Sequence, residues 1–230
     1  MCRTILFIAL LFLPLGIFAQ DESRFLVPDY SSINDMVTDP NSAFFYPHLL
    51  KRYKDNDSTL SPREYRMLYY GFAMQKEFVP FSGFTIEDEN IRQIFSKDEL
   101  DTSDLKEIVS QSKQYLDKFP FDLKKLNLVY VASRELGDSI NTHIYLDKAR
   151  NVAFAILSSG DGLSKQTAFH VISLPDEYAM IKMLGYEYSG GQELSGDNCN
   201  YLGILNNIDE IPGFYFNAKP VFNSIPQAMK

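Results

Sequence analysis

Ile156-Leu157-Ser158-Ser159-Gly160-Asp161-Gly162-Leu163-Ser164-Lys165 is the stretch at which the chain changes character. Of the 12 glycines, eight lie between Gly160 and Gly213, and past the first twenty residues only Gly71, Gly83 and Gly137 come earlier. Glycine costs roughly 1 kcal/mol against alanine inside a helix and supplies the positive φ of turns. The pattern predicts an α+β chain, helical over residues 30–158 and stranded over 165–218. The stretch itself has the look of a phosphate-cradling loop. Its spacing is not G-x-x-x-x-G-K-S/T, however, and it follows a helix where such a loop follows a strand. A turn ending the helix accounts for both glycines.

Upstream, Ile140 to Leu157 reads as a helix with Ile144, Ala149, Val152, Ala153 and Ile156 inward. Gly137 stands where a C′ residue would end the helix before it, which buries Leu123, Leu126, Val129 and Tyr130. So short a link makes the two helices antiparallel. The pair is similar to one tetratricopeptide hairpin, but no recurrence at about 34 residues follows, so the expectation is helical hairpins and no array. Further back, Asp101 to Ser103 caps a helix with the stripe Leu105, Ile108, Val109, Tyr115, Leu116 and Phe119, stopped by Pro120. Ser61-Pro62-Arg63-Glu64 is a capping box ahead of Tyr65, Leu68, Tyr69, Phe72 and Ala73, and Pro47 opens a shorter helix.

Downstream, Ala168 to Ser173 is short, apolar and bounded by turn residues, a strand. Pro175-Asp176-Glu177 starts a helix running to about Leu184. Tyr186–Ser189, Tyr201–Leu205 and Phe214–Ala218 are further strands, parted by Gly190-Gly191 and Pro212-Gly213. The expected architecture is helical hairpins in the N-terminal two-thirds, then a small, mostly antiparallel sheet with one short helix. It forms a single domain over residues 20–222, with a loose tail at 223–230.

The start of the chain carries an address. Arg3 is the only charge before Asp21, Ile5 to Phe18 is apolar apart from Pro14 and Gly16, and Ala19 offers a small residue for cleavage. That is the pattern of a secretory signal peptide, and the run is shorter than the roughly 20 residues of a membrane span. No cysteine follows it, so no lipoprotein anchor is expected, and a periplasmic or secreted destination is. Removal of residues 1–19 takes away Arg3 and Cys2, turning the net charge of −8 into −9 and leaving Cys199 as the one thiol. Such a chain makes no internal disulfide. The charge also argues against nucleic acid, whose phosphates need a basic footprint.

Chemical signatures are few. Asp55-Asn56-Asp57-Ser58-Thr59 matches the D-x-D-x-T of aspartate-nucleophile phosphatases, but Lys51-Arg52-Tyr53-Lys54 before it is a polar helix end, and a solvated turn explains it. An EF-hand fails because Leu60 stands where glycine is needed. His48, His143 and His170 never take metal-ligand spacing, so neither metal nor cofactor is expected. Cys199 reads as a small buried hydrophobe. His170 lies mid-strand, sharing a face with Ala168 and Ile172. It is either a hydrogen-bonded core residue or a general acid/base oriented by Asp161 or Glu177. Aromatics are abundant, with 14 Tyr and 18 Phe, clustered at Phe44-Phe45-Tyr46 and Tyr69-Tyr70-Gly71-Phe72. Tyr70 lies off its helix's stripe, so Tyr46, Tyr69 and Tyr70 are candidates for an aromatic binding platform.

Pro40-Asn41-Ser42-Ala43-Phe44-Phe45-Tyr46-Pro47, Glu64-Tyr65-Arg66-Met67-Leu68-Tyr69-Tyr70-Gly71-Phe72, Ala168-Phe169-His170-Val171-Ile172 and Asp176-Glu177-Tyr178 together resemble an uncharacterised family of exported Bacteroidetes proteins, catalogued as a domain of unknown function. The resemblance spans nearly all of the chain after residue 19. It implies a Gram-negative envelope or secreted location and carries no substrate, cofactor or catalytic residue. Two functional expectations follow. The first is a non-catalytic binding protein of the envelope, whose acidic surface disfavours anionic partners and permits a protein or neutral glycan. The second is a hydrolase of unfamiliar type using His170 with Asp161 or Glu177.

Overall fold

The structure, a computed structural model, describes residues 25–80, 89–97, 99–194 and 198–224. The signal segment and all but the first two residues of the expected tail lie outside them. Local capping sets where the helices begin. Helix α1 (Tyr30–Thr38) starts behind Asp29, whose carboxylate accepts from the Ser31 and Ser32 N–H groups. Helix α2 (Tyr46–Lys54) carries Pro47 in its first turn. Helix α3 (Pro62–Phe72) has the expected capping box: Ser61 Oγ accepts from the Glu64 N–H at 3.3 Å, and Glu64 Oε2 accepts from the Ser61 N–H at 2.7 Å.

After α4 (Glu89–Phe95), α5 (Thr102–Lys118) opens on a second capping box, Asp101 with Asp104. Helices α6 (Leu123–Glu135) and α7 (Ser139–Leu157) form the expected hairpin. Gly137 adopts φ +73°, its N–H donates to Arg134 O at 3.0 Å, and the Asp138 N–H donates to Ser133 O at 2.9 Å. This pair of bonds is a Schellman motif. Asp138 then caps α7 by accepting from the Asn141 N–H, so one residue closes a helix and opens the next.

The sheet comprises β1 (Phe169–His170), β2 (Tyr188–Leu194), β3 (Cys199–Ile204) and β4 (Gly213–Asn217) in the order β1-β4-β3-β2. β1 runs parallel to β4, and the other two pairings are antiparallel. Helix α8 (Leu174–Met183) connects β1 to β2, and α9 (Lys219–Asn223) follows β4. The result is mixed α+β, helices first and the sheet after.

Three details differ from expectation. The strand foreseen at Ala168–Ser173 shrinks to two residues. Gly190-Gly191, read as a turn, lies inside β2, where Gly190 has φ +89° and the register with β3 slips between Tyr188 and Gln192. The glycines make a bulge there, a use the sequence pattern does not separate from a turn. Gly162 does more than end a helix. Its φ is +71°, a Cβ there would stand 2.5 Å from the Phe169 ring, and its carbonyl accepts from the Tyr215 N–H. The 160–167 loop is thereby folded onto the sheet.

The main core joins the helices to the sheet. Helix α3 runs through it, packed by α1, α2 and α7, and Leu68, Tyr69 and Tyr70 are wholly buried. Its second half, Met67–Phe72, is buried on every side, as in an interior helix, while Arg63, Glu64 and Arg66 lie in its first turns. The aromatic platform is corrected accordingly: Tyr46, Tyr69 and Tyr70 are 3%, 0% and 0% exposed. Tyr70 stands off the stripe because that side of α3 meets α7 and β1, where its hydroxyl bonds to Ala155 O at 3.1 Å and His170 O at 3.2 Å.

Candidate functional site

Arg66 organises one end of the helical layer. Its Nη1 donates to Ala155 O and to Ser158 Oγ, and its Nη2 donates to Leu26 O at 2.7 Å. The Leu26 N–H donates to Ser158 O at 2.7 Å. The segment around Leu26 is thus strapped to the end of α7. A groove of about 1070 Å³ opens between this segment, α1, α3 and α7. Its walls include Leu26, Val27, Ile33, Met36, Met67 and Phe154, and Arg63 and Ser61 are among its polar residues. Leu26, Val27 and Phe154 are 59%, 53% and 52% exposed.

Beside the groove stands His170. Its Nδ1 is buried without a hydrogen-bond partner. Burial, then the charges of Lys219 and Arg66, push its pKa down to about 4, so the imidazole is neutral at pH 7. The charges that bear on it are cations, and neither expected carboxylate is held against it. Asp161 Oδ1 accepts from the Leu163 N–H at 3.0 Å and the Thr167 hydroxyl at 2.6 Å, as an organiser of its own loop. Glu177 is wholly buried and accepts from Asn200 Nδ2 at 2.8 Å. The structure therefore does not assemble the acid/base group expected from Asp161, His170 and Glu177.

The acids that opened α8 in the sequence have become interior groups. Asp176 Oδ2 accepts from the Tyr69 hydroxyl at 2.7 Å and its Oδ1 from the Leu123 N–H at 3.2 Å, which caps α6 from a distance. Burial, reinforced by Asp122, raises its pKa to about 8. Burial also raises Glu177 to about 8, against the lowering effect of the Asn200 amide. Glu177 Oε2 and Asn200 Oδ1 both lack a donor. Protonation, which the raised pKa favours, turns the orphaned Oε2 from an unmet acceptor into a donor. These are stabilising interior contacts and offer no open nucleophile or base.

Among the described residues, no cluster of three or more His, Cys, Asp or Glu side chains is placed to hold a metal ion. No helix among them is long and apolar enough to cross a membrane. The groove escaped the sequence reading because its walls come from four separated segments. The exposed Phe154 on α7 was one local signal.

The chain belongs to the family described as a domain of unknown function (DUF4919), whose model matches residues 31–227. No curated protein and no solved structure shows significant similarity to it.

Proposed function

We propose that this is an exported, non-catalytic binding protein of the Gram-negative envelope, of Bacteroidetes type, and that its groove holds the apolar part of a small amphiphilic ligand. The observation that carries the reading is the groove, with Leu26, Val27 and Phe154 more than half exposed around about 1070 Å³. Contiguous exposed apolar surface around a concavity of this size is the ordinary mark of a ligand site. Its aliphatic walls suit an acyl chain better than a hydrated glycan, whose usual aromatic platform is here consumed by the core. The export half of the proposal rests on the signal pattern of residues 1–19. The catalytic alternative is weaker, because His170 is neutral, half-buried and surrounded by cations where a carboxylate was required.

The test is native mass spectrometry on the protein recovered from fractionated cells of its own host. The expected result is a protein lacking residues 1–19, found outside the cytoplasm, carrying a small molecule that Phe154→Asp releases. An unprocessed cytoplasmic protein would overturn export. A processed protein that stays bare, and that leaves a polarity-sensitive apolar dye unbound, would overturn the groove.

A further inference from the structure

The groove has a cationic end. Arg66 and Tyr70 line it, and Tyr70 also touches Tyr30 and His170, which lie outside its walls. The Tyr30 and Tyr70 rings meet edge to face at 6.1 Å, the Tyr70 hydroxyl bonds to His170 O at 3.2 Å, and the Arg66 guanidinium lies 5.3 Å over the Tyr70 ring. Lys219 closes the circle from α9. Its Nζ lies 6.0 Å from the Tyr30 ring centroid, and its N–H donates to Asn217 Oδ1, on the residue in register with His170. Within this circle the Tyr30 hydroxyl and His170 Nδ1 are both buried without a partner. Each can donate, the tyrosine through O–H and the neutral imidazole through its Nδ1–H tautomer. Among the described residues, the acid that Lys219 acts on here is Asp29, whose carboxylate is engaged by the Ser31 N–H, the Ser32 N–H and the Ser32 hydroxyl. Two cations against one engaged carboxylate reverse the local sign in a chain of net charge −8.

We infer that the charged end of the ligand is a monocarboxylate, seated by Tyr30 Oη, His170 Nδ1 and Lys219 Nζ in the field of Arg66, with its apolar tail in the groove. The inference rests on the groove reading. Two neutral donors and one ammonium match a singly charged, two-oxygen head, and charge-assisted hydrogen bonds to such a head are the strong kind. Entry requires the exposed Lys219 side chain to swing off the Tyr30 ring.

The experiment compares dodecanoate, dodecanol and dodecyl phosphate by calorimetry, and acetate by imidazole NMR, on the wild type and on Lys219→Met and Tyr30→Phe. Dodecanoate is expected to bind about tenfold or more tighter than dodecanol, as one or two charge-assisted bonds allow. Lys219→Met is expected to erase most of that preference while weakening dodecanol little, since an alcohol gains no charge-assisted bond, and Tyr30→Phe is expected to weaken dodecanoate more than dodecanol. Acetate should move the His170 resonance and raise its titration midpoint, with His48 and His143 as internal controls. Equal binding of dodecanoate and dodecanol would overturn the carboxylate seat and spare the groove. Tighter binding of dodecyl phosphate would overturn the ligand class. An acetate response at His170 without binding of any twelve-carbon ligand would uphold the seat and overturn the groove. No response to any of the four would overturn both.

Discussion

Replacing Glu177 with glutamine tests whether the interior carries a protonated acid. The wild-type carboxyl has an ordinary pKa of 4.5, raised in the folded chain to about 8 by burial. Between those values the native state holds a proton that the unfolded chain has released. Unfolding free energy therefore falls as pH rises, with no loss below the unfolded value and the full loss above the folded one. Each pH unit inside that window costs about 1.4 kcal/mol from this one group. Glutamine keeps the shape of the neutral acid, offers an NH₂ donor in place of Oε2–H, and does not titrate. The stability difference between Glu177→Gln and wild type should thus grow in favour of the variant by about 3 kcal/mol from pH 5.5 to pH 7.5, less whatever relaxation lets water reach the ionised group. Urea unfolding at three pH values, monitored by circular dichroism, measures it. A difference that is constant with pH would refute the reasoning, since it would mean that Glu177 titrates alike in both states.

Two further substitutions probe the surrounding frame. For Asp176→Asn the stability difference from wild type should likewise move in the variant's favour by about 1.4 kcal/mol per pH unit between the ordinary 3.8 and the raised value of about 8, because the buried wild-type acid must hold a proton that the amide does not need; a difference constant with pH in the same urea assay would contradict it. Gly162→Ala should lower stability by about 2 kcal/mol or more, combining an unfavourable positive φ with a Cβ against the Phe169 ring; a thermal melt unchanged from wild type would contradict the packing of that loop.

Helix boundaries were legible because their determinants are local. The Ser61–Glu64 capping box, the Asp101 cap and Gly137 at the α6 terminus act within a few residues, and a reader of the chain has every participant in view. The switch at Ser158–Gly162 was equally readable, since glycine density changes there. The strands were placed to within a few residues. Gly190-Gly191 was misread because a bulge and a turn call for the same residue, and the partner strand decides between them.

The candidate site was much less legible. His170 was singled out, but with the wrong neighbours: proximity along the chain suggested Asp161 and Glu177, whereas the fold surrounds it with Arg66 from α3 and Lys219 from α9. Tyr70 looked free because one helical stripe was already full, and only the packing of α7 and β1 on the other side of α3 shows it to be interior. The chain by itself determined the α+β class, the helical-then-stranded order and those helix ends whose caps are local, such as Ser61–Glu64, Asp101 and Gly137. All of these are set by interactions a few residues long, while α1, α4 and α9 were not read from the chain. The tertiary structure alone decided which polar groups lost their water and which charges they then faced. Desolvation and Coulomb energy depend on distance in space, and across nearly 200 residues of chain from Tyr30 to Lys219 no sequence spacing encodes it.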